Sequence, residues 1–287
     1  MTAQPPPKRP KALLFDIGGV CVVSPLQAIL DYERANGIPV GWVNVAISAG
    51  APSGAWQRIE RGEIALDDAF FEEFARDLAN PRIWPAYWAR ANGGGEEEKA
   101  TAPPPPPRID AKALFWEMMR VSRTPDPWMW PALGRLREVA DKEGWLLLGA
   151  LSNTVVFPEG VRDEGGRAFE SGLNLGEGRA AADVRGMFDV FVSSAHVGLR
   201  KPDRRIYEMA LRLLDEEARA RGWEEGVGPG DVLFLDDIGQ NLKAAKELGM
   251  KTLKVDLGKS WKAVKGLEEI LKLKLLEGEV ADGKARL

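Results

Sequence analysis

The sequence is poor in the residues that build redox centres and soft-metal sites. Among 287 residues there is one cysteine, Cys21, and one histidine, His196. A single cysteine excludes an internal disulfide framework and is typical of a reducing compartment. A single histidine excludes a multi-histidine metal site and leaves a Ser-His-Asp triad only through that residue. Any metal ion should therefore be a hard cation bound through oxygen ligands.

Long apolar runs and a strong net charge are also missing. No run approaches the ~18 apolar residues of a membrane span, and the Pro-rich, basic residues 1–11 do not resemble a signal peptide. The formal net charge of −4 argues against a broad nucleic-acid or membrane surface. We therefore expect a cytoplasmic protein that binds neither nucleic acid nor membrane. The sequence does not distinguish a monomer from a homodimer.

What the chain does contain is an alternation of short apolar runs and helical patterns. Buried strands are predicted at residues 12–15, 145–151, 188–192, 232–235 and 252–255. Helical patterns lie between or after most of them, at residues 132–143, 203–217, 239–248 and 259–275. Strands that alternate with helices predict right-handed crossovers and a mostly parallel sheet, which is an α/β fold.

Residues 25–130 break that alternation and predict an all-helical insertion. Ser24 is suited to cap its first helix, and Pro25 suits the first helical position. A Gly- and Pro-rich excursion at 92–107 predicts a solvated surface segment. We expect seven tryptophans to pack this insertion: Trp42, Trp56, Trp84, Trp88, Trp116, Trp128 and Trp130. The predicted organisation is a disordered N-terminus (1–10), a core (11–24 and 131–287) and a helical cap (25–130).

Small or charged residues follow three of the predicted strands. Asp16 follows the first, Ser152 and Asn153 follow the second, and Asp236 and Asp237 follow the run 232–235. Because ligands collect beyond the carboxyl ends of strands in an open parallel sheet, we expect these side chains to converge. Lys201 lies just before a predicted helix and supplies a cation.

This inventory suits transfer of a phosphoryl group to a carboxylate. Asp16 can attack phosphorus and form an aspartyl-phosphate. Ser152 and Asn153 can donate to phosphate oxygens, and Lys201 can neutralise charge. Taken singly, these residues also fit a strand-end turn, a helix cap and a surface lysine, so the prediction depends on the set.

The adjacent pair Asp236 and Asp237 is harder to explain structurally. Two carboxylates at a buried strand end repel each other unless something positive lies beside them. A Mg²⁺ ion meets that need, since it prefers oxygen ligands and retains several waters. Asn241, one helical turn further on, is placed to orient one of the two carboxylates.

As a set, these motifs resemble the haloacid dehalogenase (HAD) superfamily. The likeness is strongest to the branch with the N-terminal phosphatase domain of soluble epoxide hydrolases, a related acyl-CoA dehydrogenase family domain and bacterial sugar-1-phosphate phosphatases. It is carried by Leu233-Phe234-Leu235-Asp236-Asp237-Ile238-Gly239-Gln240-Asn241-Leu242-Lys243, by Val197-Gly198-Leu199-Arg200-Lys201-Pro202-Asp203 and by Glu60-Arg61-Gly62-Glu63. The resemblance implies a Rossmann-like core with an inserted, all-helical C1-type cap.

The resemblance also implies roles for single residues. Asp16 becomes the nucleophile and a Mg²⁺ ligand, together with Asp237 and the backbone carbonyl of Gly18. Ser152, Asn153 and Lys201 hold the phosphoryl group, and Lys201 is also counted as catalytic. Asp236 supports Asp237, as Asn241 does.

One position departs from the family pattern. The family usually has a second aspartate, the general acid/base, where this chain has Gly18. General acid/base catalysis typically contributes ~10²–10⁴-fold, so its loss matters most for poor leaving groups. Sugar-1-phosphate phosphatases of this branch also lack that aspartate, and His196 or Glu60 is a conjectural substitute.

These observations lead to one main hypothesis and two rivals. The main hypothesis is a Mg²⁺-dependent phosphatase that hydrolyses a small phosphorylated metabolite through an aspartyl-phosphate. The first rival is a catalytically weakened binding or scaffold protein, suggested by Gly18. The second is a metal-free dehalogenase, against which the pair Asp236 and Asp237 argues because two unneutralised carboxylates would oppose Asp16.

Overall fold

A computed structural model describes residues 9–92, 103–162, 168–169 and 184–276. The predicted disordered N-terminus falls outside these ranges except for its last two residues. Most of the predicted surface excursion at 92–107 also lies outside the described residues. Of its proline run, residues 103–105 are exposed, and the Pro104 carbonyl accepts a hydrogen bond from the Trp84 indole.

The centre of the molecule is a parallel sheet of five strands. They are β1 (Ala12–Phe15), β2 (Leu147–Ser152), β3 (Val190–Ser193), β4 (Val232–Asp236) and β5 (Lys251–Lys254), in the spatial order β3-β2-β1-β4-β5. Every residue of β1, β2 and β4 is buried, as expected for central strands with helices on both faces. The predicted α/β fold is confirmed.

Helices cover both faces of the sheet. They are α7 (Met129–Glu143), α8 (Ser194–Val197), α9 (Arg204–Ala220), α10 (Gly239–Glu247) and α11 (Ser260–Leu271). Apolar side chains of α7 and α11 form the core on one face, and those of α9 and α10 form the core on the other. In α9 the buried positions Ile206, Ala210, Leu214 and Ala218 recur every four residues, so one stripe of the helix faces the sheet.

Six further helices lie between β1 and α7 in the described ranges 9–92 and 103–162. They are α1 (Pro25–Ala35), α2 (Trp42–Ala49), α3 (Ala55–Glu60), α4 (Asp68–Leu78), α5 (Trp84–Ala91) and α6 (Ala111–Val121). As predicted, Ser24 caps α1 by accepting a hydrogen bond from the Leu26 N–H at 3.2 Å, and Pro25 is its first residue. These helices, which we call the cap, pack around a hydrophobic cluster of their own. The division at residues 25 and 130 stays a prediction, and α7, which packs against the sheet, already begins at Met129.

Two of the seven tryptophan predictions are wrong. Trp42, Trp56, Trp84, Trp88 and Trp116 pack in the cap, whereas Trp128 and Trp130 pack against the core of the sheet. The reason is that α7 begins at Met129, where Asp126 accepts hydrogen bonds from the Trp128 and Met129 N–H groups. Pro131 therefore lies inside the first turn, where its missing N–H costs nothing. No helix in the described part of the chain has the length and hydropathy needed to cross a bilayer.

Candidate active site

Two carboxylates meet where the central strands end. β1 and β4 pair with Phe15 opposite Leu235, so Asp16 and Asp236 leave the sheet side by side. The Asp16 N–H donates to the Leu235 carbonyl at 2.8 Å and continues the ladder by one residue. Both side chains are buried. The predicted convergence of these two residues is therefore present in the structure.

Lys201 bridges the two carboxylates. Its Nζ lies 2.8 Å from Asp16 Oδ2 and 2.8 Å from Asp236 Oδ2, and its side chain is only 1% exposed. Burial alone would lower the pKa of Lys201, but the two carboxylates outweigh it and raise the pKa above its ordinary value. The lysine is therefore a permanent positive charge at the centre of the site.

Asp236 is the most tightly held of the acidic residues. Its Oδ1 accepts a hydrogen bond from the Ile238 N–H at 2.7 Å. The Asn241 amide, in the first turn of α10, lies 3.1 Å from both carboxylate oxygens. These contacts agree with the supporting role predicted for Asn241. They fix Asp236 as a structural anchor for Lys201.

Asp16 is held from its own backbone. Its Oδ1 accepts a hydrogen bond from the Ile17 N–H at 2.7 Å, and the Cys21 thiol donates to its carbonyl oxygen at 3.4 Å. Burial raises the pKa of Asp16 well above its ordinary value, although Lys201 opposes that rise. A carboxylate in such a position is poorly hydrated, which suits a nucleophile.

Asp237 is different because one of its oxygens lacks a partner. Its Oδ1 is buried without a hydrogen bond. Burial first, and then the charge of Asp236, raise the pKa of Asp237 to about 7. Oxygens of Asp16, Asp236 and Asp237 lie within 4.8 Å of one another. An unsatisfied carboxylate oxygen beside two others fits a hard divalent cation such as Mg²⁺.

Gly19 makes room for this cluster. It adopts a φ of +80°, and a Cβ atom at this position would collide with the Asp237 carboxylate. Glycine is required here both by the backbone conformation and by the close approach. Gly18, in contrast, has space for a side chain, since a Cβ atom would meet only Pro25, at 3.4 Å.

Asn153 has a contact that sequence reasoning missed. Its Oδ1 accepts a hydrogen bond from the Lys201 N–H at 2.8 Å, and its Nδ2 donates to the Lys201 carbonyl at 3.2 Å. The side chain therefore fixes the backbone that carries the lysine. Its predicted contact with phosphate stays a prediction, as does that of Ser152, which is buried at the end of β2.

A small cavity, about 120 Å³, opens over the ends of the strands. The core contributes Gly18, Ser152 and Asn153 to its wall. Most other lining residues are apolar and come from the cap or from the segment after β2, among them Trp56, Met119, Val155, Phe157 and Phe169. The cavity wall is therefore mostly apolar, and it adjoins the charged cluster through Gly18, two residues after Asp16, and through Asn153, which bonds to the Lys201 backbone.

His196 does not line this cavity. It is exposed, and its Nδ1 lies 2.7 Å from Ser193 Oγ, which in turn lies 2.5 Å from Thr154 Oγ1. Thr154 is a cavity residue, so the histidine reaches the site only through two hydroxyl groups. No sequence signal singles out Ser193 or Thr154.

A second ion pair joins the cap to the core. Arg200 Nε donates to Glu60 Oε2 at 2.6 Å, and the Ser194 hydroxyl donates to the Glu60 carbonyl at 2.5 Å. Two residues on, Gly62 packs against the Ala195 carbonyl so closely that a Cβ atom would collide with it. The C-terminal end of α3 is therefore fixed on α8.

The chain is similar in sequence to parts of larger proteins. It is 30% identical to acyl-CoA dehydrogenase family member 10 of Mus musculus over 262 residues, which are 91% of this chain and 19% of that protein. It is 25% identical to bifunctional epoxide hydrolase 2 of Sus scrofa over 272 residues, which are 93% of this chain and 40% of that protein. The chain thus spans less than half the length of either relative. No family model matches it.

The fold also has a counterpart among solved structures. A protein from Porphyromonas gingivalis, described as a predicted HAD-like family hydrolase, superimposes with a TM-score of 0.50. The match covers 93% of this chain and 100% of the other at 16% identity, so it bears on the fold. With this sheet, the match shows that the chain shares the fold of a HAD-like family hydrolase, and its sequence is similar to parts of the two larger proteins above.

Proposed function

We propose that the protein is a Mg²⁺-dependent phosphatase that hydrolyses a small phosphorylated metabolite through an aspartyl-phosphate on Asp16. The observation that carries this proposal is the cluster of Asp16, Asp236 and Asp237, in which the Lys201 ammonium group bridges the first two carboxylates. Three clustered carboxylates, two of them buried, and one lysine suit a dianionic substrate only if a cation adds positive charge.

Asp16 is the proposed nucleophile. One of its oxygens attacks phosphorus while the alcohol leaves, and water then cleaves the resulting acyl phosphate. The Ile17 N–H fixes the orientation of the carboxylate. Lys201 neutralises charge that builds on the phosphoryl oxygens, and its rigid setting between two carboxylates means that it needs no rearrangement to do so.

The cation would be held by Asp16 and Asp237. The unpartnered Asp237 Oδ1 is the oxygen that the fold leaves for it. When bound, Mg²⁺ supplies the charge that lets a phosphate dianion approach an anionic nucleophile. Asp236 keeps its hydrogen bonds to Asn241 and Ile238 throughout, so it holds Lys201 in place.

The cap completes the site. Its apolar side chains line the cavity next to the carboxylates, and by limiting the access of bulk water they would strengthen the charge interactions there. They also contact whatever organic group the phosphate carries. Substrate choice is therefore proposed to depend on the cap and phosphate chemistry on the core.

The first experiment replaces the nucleophile. With p-nitrophenyl phosphate and Mg²⁺, Asp16→Asn should lose at least ~10³-fold in turnover, since no covalent intermediate can form. Asp31→Asn, a change at an exposed aspartate of α1, is the matched control and should keep activity. Turnover like that of the wild type in Asp16→Asn would refute the assignment.

Chelation separates the two hydrolase chemistries. Phosphate release should stop in EDTA and return with Mg²⁺. Chloride release from a 2-haloacid that survives EDTA would instead support a dehalogenase. If no aryl phosphate is hydrolysed with Mg²⁺ present, the weakened binding or scaffold protein becomes the better interpretation.

A further inference from the structure

The cavity contains few groups that can move a proton. Among the described residues that line it, only Glu60 and Arg123 have ionisable side chains. An arginine side chain stays charged in proteins because its pKa is so high, which makes it a poor proton donor. Asp16 and Asp236 each form an ion pair with Lys201, and Gly18 has no side chain that could carry a proton. Glu60 is therefore the acid of the cavity wall.

Glu60 is fixed in place by the core, although it belongs to the cap. Its carboxylate accepts a hydrogen bond from Arg200 Nε, and its backbone carbonyl accepts one from the Ser194 hydroxyl. Arg200 precedes Lys201 directly in the sequence. One short segment therefore sets the positions of both the phosphate-binding lysine and this glutamate.

The surroundings of Glu60 favour its protonated form more than water does. Its side chain is only 10% exposed. Burial raises the pKa of Glu60 above its ordinary value, although Arg200, the Trp56 side chain and Lys201 oppose the rise. A carboxyl group with a raised pKa is better matched to proton transfer near neutral pH than a solvated one.

We propose that Glu60 is the general acid and general base of this reaction. The inference rests on the proposed phosphatase function. In the first step Asp16 bonds to phosphorus, the P–O bond to the alcohol breaks, and protonated Glu60 gives its proton to the leaving oxygen. In the second step a water oxygen bonds to phosphorus, the Asp16–phosphorus bond breaks, and the Glu60 carboxylate accepts the water proton. Glu60 is thereby restored, and phosphate leaves.

The structure favours Glu60 over the other conjectured substitute, His196. The imidazole is exposed and lies outside the cavity wall, with its Nδ1 engaged by Ser193. Glu60, in contrast, itself lines the cavity. The rate contribution of a general acid grows with the basicity of the leaving group. An alkoxide must receive a proton to leave, whereas an aryl oxide leaves almost as readily without one.

The test compares two esters in one enzyme. Glu60→Gln should lower kcat on n-butyl phosphate by ~10²-fold or more. The fold-loss in kcat on p-nitrophenyl phosphate should be at least ten times smaller. The alkaline limb of its pH–rate profile on the alkyl ester, which reports loss of the Glu60 proton, should also disappear. Glu63→Gln, a matched change at a more exposed glutamate of the same turn, should leave the ratio of the two rates unchanged.

A double variant keeps the test sharp. Gly18→Asp places a carboxyl group where the backbone has room for it, and in a Glu60→Gln background it should recover hydrolysis of the alkyl ester. A double variant as slow as Glu60→Gln on that ester would count against the proposal.

Equal losses on both esters, or no loss on either, would overturn the role of Glu60 while the wild-type enzyme keeps its phosphatase activity. A wild-type enzyme without Mg²⁺-dependent activity on the aryl ester would overturn the proposed function itself, and the role of Glu60 with it.

Discussion

Asp237 couples metal binding to pH. Its pKa of about 7 in the fold lies above the ordinary value of 3.8, so between these values the folded protein holds a proton that the unfolded chain has lost. In this window the metal-free protein should lose stability as the pH rises. Mg²⁺ binds the deprotonated carboxylate, so its stabilising effect should grow from pH 5 to pH 8. Thermal unfolding with and without Mg²⁺ measures both effects.

The matched variant for this prediction is Asp237→Asn. It removes the titrating group and should flatten the growth of the Mg²⁺ effect with pH. Asp16, whose pKa burial also raises, contributes in the same direction and stays in place. A Mg²⁺-induced shift in Tm that is as large at pH 5 as at pH 8 would contradict the assignment of Asp237 as a ligand.

At the residue scale, the sequence allowed the charged groups to be predicted but not their partners. Asp236 and Asp237 stand out because two adjacent carboxylates at a buried strand end repel each other, whereas Asp16 and Lys201 become informative only together with them. The amide of Asn153 was expected at the phosphate, whereas in the fold it bonds to the Lys201 backbone. That pairing joins segments 48 residues apart, so no local pattern reveals it.

At the element scale, the close contact between the C-terminal end of α3 and α8 depends on Gly62. The residue has a φ of +65°, and a methyl group there would collide with the Ala195 carbonyl. Gly62→Ala should therefore destabilise the protein by about 1–3 kcal/mol. It should also slow phosphatase turnover, because the end of α3 carries Glu60. Chemical denaturation and steady-state kinetics measure the two effects.

Gly134→Ala is the control for that change. Gly134 lies inside α7 with no atom near the position of an added Cβ. The same substitution should therefore stabilise this helix by up to ~1 kcal/mol. A Gly62→Ala variant as stable and active as the wild type would contradict the close contact between residue 62 of the cap and the Ala195 carbonyl of the core.

Helix prediction succeeded where the helix is long and its buried face is regular. Within the predicted helical insertion at 25–130, the buried side chains Phe70, Phe74 and Leu78 of α4 recur every four residues. Helices α2, α3 and α5 span only six to eight residues, which leaves too few turns for a period to show. Pro131 displaced the predicted start of α7, because proline tolerates the first turn as well as the position before it.

At the scale of the whole molecule, the cap has a hydrophobic core of its own. Phe115 is fully buried there and makes edge-on contacts with Phe70 and Phe71 at ring distances of 5.5 and 5.6 Å. Phe115→Ala should cost about 3–5 kcal/mol. Since the cavity that it leaves lies in the cap, hydrogen exchange should speed up in α1–α6 more than in the strands.

The matched substitution on the sheet is Phe234→Ala. Phe234 lies in β4, equally buried, so its loss should speed hydrogen exchange in the strands as well. Mg²⁺ affinity should survive Phe115→Ala better than Phe234→Ala, because the carboxylates project from the sheet. Equal exchange in all elements of both variants would show that cap and core open as one unit.

The outer strand β5 has a consequence for self-association. Its sequence, Lys251-Thr252-Leu253-Lys254, begins and ends with lysine. Antiparallel addition of the same strand from another copy would set ammonium groups opposite each other, which is unfavourable. The lysines thus disfavour pairing of β5 with the β5 strand of another copy. A homodimer is therefore expected to form through a different surface.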